Sequence, residues 1–181
     1  LESRNKKSIL EYQISGKKIS YNNIIDLDSG LKCLSEFSEP TSIIIKHTNP
    51  CGVASSKNIS KAFEKSYESD PKSAFGGIIF LNRKVNLYLA EKIIRNFYEM
   101  VAATDFDEDA INLLKKKKNL ILIIIPKVKN QVSEQRSTLF GEIFQTRDLT
   151  PINKNFISLV SQKECPFKSI EDILFSLKVV K

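Results

Sequence analysis

The sequence predicts an α/β layered domain with a mixed, mostly parallel sheet. Three observations carry that expectation. Short apolar runs alternate with segments of helical spacing along the chain. Those runs are apolar at consecutive positions rather than at every second one, as in strands covered on both faces. The 181 residues, 41% hydrophobic and 27% charged, have the composition of an ordinary globular core.

Taken in order, residues 9–14 alternate in polarity and Gly16 leads on to Ile19 and Tyr21, which reads as a short hairpin. Leu27, Leu31, Leu34 and Phe37 then fall at helical spacing, with Asp26 or Asp28 as cap and Pro40 as stop. Residues 41–46 are β-branched and apolar and predict a buried central strand. His47-Thr48-Asn49-Pro50-Cys51-Gly52 reads as a loop, followed by a helix over residues 60–69 with Ala62, Phe63 and Tyr67 inward. A second buried strand is expected over residues 74–81, opened by Phe75-Gly76-Gly77. A helix over 87–97, a strand over 100–103, a helix over 108–116 and a strand over 120–125 continue the alternation. Residues 139–145 and 156–161 are expected to form a further, antiparallel pair of strands, and residues 170–181 a closing helix. The apolar stripe of that helix, Ile173, Leu174, Leu177 and Val180, runs to the last residue without a cap, so the chain is expected to be a piece of a longer protein.

Lys and Arg total 28 against 21 Asp and Glu, a net charge of +7. That balance suits either a nucleic acid or an anionic small molecule. The one dense run, Lys115 to Lys118, closes an expected helix, where cations complement the negative helix end. The longest apolar run, residues 120–126, is far too short to span a bilayer, and the first residues do not have the pattern of a signal peptide. Cys33, Cys51 and Cys165 are too few and too scattered for a disulfide framework, which makes a reducing cytosol the default reading.

Chemistry concentrates in four places. Lys46 and His47, the only histidine, stand at the C-terminal end of an expected buried strand, an end where open α/β sheets place ligands. An imidazole can take a proton near neutral pH and a neighbouring ammonium can stabilise developing negative charge. Two readings stand for the pair: a catalytic one, and a turn in which His47 bonds toward Asn49 while Lys46 is solvated. Pro50-Cys51-Gly52 raises a zinc deaminase, whose pattern is H-x-E followed by P-C-x-x-C. Asn49 replaces the Glu and Ala54 the second Cys, which leaves too few ligands, so no metal is expected. Gly76 and Gly77 either let a ligand approach closely or make a tight turn. Glu99 either accepts hydrogen bonds from a ribose or an amide or is a solvated carboxylate. Neither a dinucleotide fingerprint nor a P-loop is present.

Three strings, residues 16–23, residues 44–54 (Ile-Ile-Lys-His-Thr-Asn-Pro-Cys-Gly-Val-Ala) and residues 69–79 (Ser-Asp-Pro-Lys-Ser-Ala-Phe-Gly-Gly-Ile-Ile) with Asn82-Arg83, resemble the AICAR transformylase domain of the bifunctional purine biosynthesis enzymes. Residues 115–120 and 172–181 also resemble family segments, so the likeness covers most of the chain. The resemblance implies a three-layer α/β/α sandwich of cytidine-deaminase-like type without catalytic zinc. It implies formyl transfer from 10-formyltetrahydrofolate to the amine of 5-aminoimidazole-4-carboxamide ribonucleotide. It carries the proton acceptor onto His47, its catalytic partner onto Lys46, and nucleotide-binding positions onto Gly76 and Glu99, with Phe75 bordering the site. A small-molecule ribonucleotide, a folate and a second copy of the protein are the implied partners, and the cytoplasm the implied location. The family's Arg-Tyr-Gly and Lys-Ser-Asn segments are not found in this sequence, nor are a second transformylase lobe or a cyclohydrolase domain. The expectation is a first lobe that holds half a site. A basic nucleic-acid-binding module and a relic of a zinc deaminase are the competing expectations.

Overall fold

The computed structural model describes residues 9–125, 133–160, 162–163 and 166–181, and the chain divides into two compact units, Leu1–Pro126 and Lys127–Lys181. The first unit runs from a 3₁₀ turn, Ile9–Tyr12, through β1 (Gln13–Ser15), α1 (Tyr21–Leu34), β2 (Thr41–Lys46), β3 (Asn49–Ser55), α2 (Ile59–Ser69) and α3 (Pro71–Ala74). It continues with β4 (Ile78–Leu81), α4 (Leu87–Ile93), β5 (Met100–Ala103), α5 (Glu108–Leu114) and β6 (Ile121–Ile124). The six strands form one sheet in the order β1-β6-β5-β4-β2-β3. β4, β5 and β6 are parallel neighbours, β2 is antiparallel to both β4 and β3, and β1 is antiparallel to β6. Four strands therefore run one way and two the other, the mixed and mostly parallel sheet that the alternating pattern predicts.

Successive residues of a strand face opposite sides, so register assigns the two layers. Ile44, Ile79, Val101 and Leu122 lie in one row across β2, β4, β5 and β6, and the neighbouring row is Ile43, Phe80, Ala102 and Ile123. Both rows are buried. The first row shares a core with Ala62 and Phe63 of α2, Leu89, Ala90 and Ile93 of α4, and Ala110 and Leu114 of α5. α1 covers the other face, where Gly30 lies directly against the Phe80 ring.

Several expected elements form differently, each for a local reason. No hairpin forms over residues 9–21: β1 is three residues long and pairs with β6, and the chain passes from Gly16 into α1. Ser20 causes this. Its hydroxyl accepts the Asn23 N–H while the Asn23 side chain accepts the Ser20 N–H, a reciprocal cap that starts the helix at Tyr21. Asp26 and Asp28 thus lie inside α1 and do not cap it. Residues 49–55 are a strand rather than a loop: β3 is the sheet's edge, where a proline is tolerated. Ile45 faces Pro50 and Ile44 faces Gly52, leaving Cys51 as the extra residue of a bulge. The expected strand over 74–81 begins only at Ile78, because Asp70 accepts the Ser73 N–H at 2.9 Å and caps the short α3. The helix expected over 87–97 ends at Ile93 and that over 108–116 at Leu114, followed by the run of lysines. One of these, Lys117, donates to the Asn96 carbonyl.

In the second unit β7 (Ser133–Thr138) and β8 (Gly141–Thr146) form an antiparallel hairpin, followed by a 3₁₀ turn at Lys154–Phe156 and by α6 (Phe167–Val180). The antiparallel pair is therefore 133–138 with 141–146, not 139–145 with 156–161. β7 is polar throughout and carries no apolar signal. Residues 157–160 form no strand, and residue 161 lies outside the described residues, as does Cys165. Among the described residues no helix is long and apolar enough to cross a membrane.

Candidate functional site

β2 runs against β4, so its last residue, Lys46, reaches the end of the sheet where β4 and β5 begin. Phe75-Gly76-Gly77 immediately precedes β4, and Glu99 immediately precedes β5. Four of the five residues expected at the site are joined here by bonds and ring contact. The Lys46 ammonium donates to the Phe75 carbonyl at 2.9 Å. The Phe75 ring, 62% exposed, lies 5.2 Å from that of Phe97, centroid to centroid. Gly76 N–H donates to the Phe97 carbonyl at 2.9 Å, and Glu99 N–H to the Gly77 carbonyl at 3.0 Å. This end is the C-terminal one for β2 and β1, the two strands that run against the rest. For the parallel strands β4 and β5 it is the N-terminal end, opposite to the rule for open parallel sheets.

Gly76 has φ +75°, in the left-handed region, while a Cβ there would meet only the Phe97 ring at 3.6 Å. The backbone conformation rather than lack of room thus accounts for this glycine. The Glu99 carboxylate accepts from the Asn23 amide at 2.9 Å and lies 3.6 Å from the Lys17 ammonium. Asn23 was not expected at the site; it is a buried polar residue that both closes the cap of α1 and orients Glu99. The pattern Ser20-x-x-Asn23 is the signal that could have revealed it.

His47 sits one residue beyond the strand, exposed, in a two-residue turn closed by the Lys46–Asn49 pair of β2 and β3. Both turn residues have positive φ, His47 at 52° and Thr48 at 66°. Those signs match the hairpin turn whose twist suits a two-residue loop, yet neither residue is the glycine, asparagine or aspartate that usually fills it. The His47 carbonyl accepts the Asn49 amide at 2.8 Å, the bond toward Asn49 that the turn reading expects, while Lys46 is half-buried and bonded to Phe75 rather than simply solvated. Beside the turn, Tyr21, Asn22, Ile25 and Asp26 of α1 line with His47 and Thr48 an open cleft of about 430 Å³.

Cys51 is not an activated nucleophile. Burial pushes its thiol above the ordinary range, the nearby Asp70 adds to this, and its Sγ donates to the Ile44 carbonyl at 3.4 Å. Burial and Glu36 push Cys33 up to about 11. Among the described residues no three of His, Cys, Asp and Glu gather as metal ligands.

Fold and geometry together define an α/β protein in which charged and aromatic groups gather at one end of the sheet, with an open cleft beside the adjoining turn. The family model described as AICARFT/IMPCHase bienzyme matches residues 2–181, and the chain belongs to that family. It is 47% identical over 171 residues to the bifunctional purine biosynthesis protein PurH of Caldicellulosiruptor saccharolyticus, covering 93% of this chain and 33% of that protein. It is 43% identical over 169 residues to PurH of Thermoanaerobacter sp. strain X514, with the same coverages. The chain thus spans about a third of the length of these relatives. Among solved structures, Acinetobacter baumannii RibD, form 2, is similar with a TM-score of 0.44 at 12% identity, over 58% of this chain and 36% of that one.

Proposed function

We propose that this chain is the first lobe of an AICAR transformylase and carries the catalytic pair and part of the nucleotide site for formyl transfer to 5-aminoimidazole-4-carboxamide ribonucleotide. The observation that carries the reading is the convergence of Lys46, Phe75, Gly76 and Glu99 at one end of the sheet, with His47 on the adjoining turn. 10-Formyltetrahydrofolate supplies the formyl group. The amine nitrogen bonds to the formyl carbon, the bond from that carbon to the folate nitrogen breaks, the amine loses a proton and the folate nitrogen gains one. An aromatic amine is a poor nucleophile, so proton removal as the new bond forms lowers the barrier, and exposed His47 is the acceptor. Lys46 holds its positive charge beside the Phe75 carbonyl and stabilises the charge that develops on the formyl oxygen, or assists departure of the folate nitrogen. Glu99, oriented by Asn23, accepts hydrogen bonds from the ribose, and Phe75 borders the nucleotide.

In this reading the second lobe supplies most folate contacts, two copies complete the site, and the protein works in the cytoplasm. The net charge of +7 favours approach of a phosphorylated nucleotide and an anionic folate. Glu99→Gln, assayed with the second lobe supplied by coexpression, is expected to raise the ribonucleotide KM about tenfold with little change in kcat, the size of one charge-assisted hydrogen bond. An unchanged KM would remove Glu99 from the nucleotide site.

A further inference from the structure

The turn that carries His47 is strained, and α1 holds it in place. Two successive residues other than glycine in the left-handed region cost free energy, and a β-branched one such as Thr48 is the less tolerated. Such a conformation persists only where its surroundings impose it. Here the Thr48 N–H donates to the Asp26 carboxylate at 2.7 Å, and the Ser29 hydroxyl donates to the Thr48 carbonyl at 2.7 Å. Asp26 and Ser29 stand three apart on α1, on one face of the helix. The one peptide group on the chain side of Thr48 and the one following it are thus each gripped from the same helix. The Thr48 hydroxyl and the Asn49 amide both donate to the His47 carbonyl, at 2.6 and 2.8 Å, but these bonds lie within the hairpin and tie it to nothing else.

We infer that Asp26 and Ser29 are positioning residues for formyl transfer: they clamp the strained His47-Thr48 turn onto α1 and so fix where the imidazole is presented. This rests on His47 being the proton acceptor. Neither residue needs to touch substrate. Asp26 acts as a hydrogen-bond acceptor, so Asn, which retains a carbonyl oxygen there, serves in its place. Glycine at position 48 adopts positive φ without strain and is the residue that this turn prefers, so it makes the clamp dispensable.

The test measures kcat and KM of formyl transfer, with the second lobe coexpressed, for Asp26→Ala, Asp26→Asn, Thr48→Gly, the Asp26→Ala/Thr48→Gly pair and His47→Ala. Asp26→Ala is expected to lower kcat about ten- to a hundredfold, as a misplacement of a catalytic group by about 1 Å does, with little change in KM. Asp26→Asn is expected to stay near the parent, and Thr48→Gly to restore most of the kcat that Asp26→Ala loses. The inference is overturned if Asp26→Ala keeps full turnover, or if Thr48→Gly gives no rescue in a folded double variant. Full turnover in His47→Ala would instead sink the underlying assignment of the proton acceptor, which keeps the two failures apart.

Discussion

Replacing His47 with Ala is expected to lower the turnover of formyl transfer about 10²- to 10⁴-fold, the span of general-base contributions, while ribonucleotide affinity changes little. The assay needs the second lobe, supplied by coexpression. Because His47 has φ 52°, Ala there adds backbone strain to the loss of the imidazole, and the two effects must be separated. His47→Asn does this, since asparagine tolerates the left-handed region and has no basic nitrogen. Equal losses in the two variants assign the effect to the missing base. A loss in Ala alone would assign it to the turn, and near-parent turnover in both would remove His47 from the chemistry.

The largest effect on stability is expected at Gly52. β3 and α2 approach so closely that a Cβ at Gly52 would lie 1.9 Å from the Ser66 carbonyl oxygen, a backbone atom that no rotamer change can move. Ser66 is itself fixed, buried at 1% exposure with its hydroxyl 2.8 Å from that of Ser42 on β2. Gly52→Ala therefore has to push helix and strand apart, and overpacking of that kind costs about 1–3 kcal/mol or more. A chemical denaturation series on the chain reads this directly as a lower midpoint with an unchanged slope. A midpoint equal to the parent's would mean that α2 does not rest on Gly52 as described. The same displacement would disturb Cys51 and Pro50, hence the hairpin that ends in His47.

Much of the fold is legible in the sequence because its central strands are buried on both faces. Residues 43–45 of β2, Met100–Ala103 and residues 120–125 are continuous apolar runs, and a run of that kind bounded by helical or turn segments admits few other readings. The edges are less legible. β3 reads Asn-Pro-Cys-Gly-Val-Ala-Ser, and its proline and glycine signal a loop although each has a strand role, one at a tolerant edge and bulge and the other beneath a helix. The polar β7 gives no pattern at all, and the start of α1 depends on a reciprocal cap between Ser20 and Asn23 that competes with two aspartates further along.

The site divides along the same line. Lys46, His47, Phe75 and Gly76 lie in strings of neighbouring residues that resemble the family, whereas Glu99 rests on a count through a weakly patterned helix; the structure brings Lys46, Phe75, Gly76 and Glu99 into one bonded group at one end of the sheet. Asn23, Asp26 and Ser29 carry no such string. They act across 76, 22 and 19 residues of chain, on Glu99 and on Thr48, and only the packing of α1 against the sheet reveals them.

The central claim, that this chain carries a nucleotide half-site between Lys46 and Glu99, is tested most directly by following the amide resonances of the isotope-labelled chain during titration with 5-aminoimidazole-4-carboxamide ribonucleotide. The account predicts saturable shifts concentrated at 46–48, 75–77 and 97–99, and their weakening in Glu99→Gln. Saturable shifts that avoid these segments, or no shifts at any accessible ribonucleotide concentration, would contradict it.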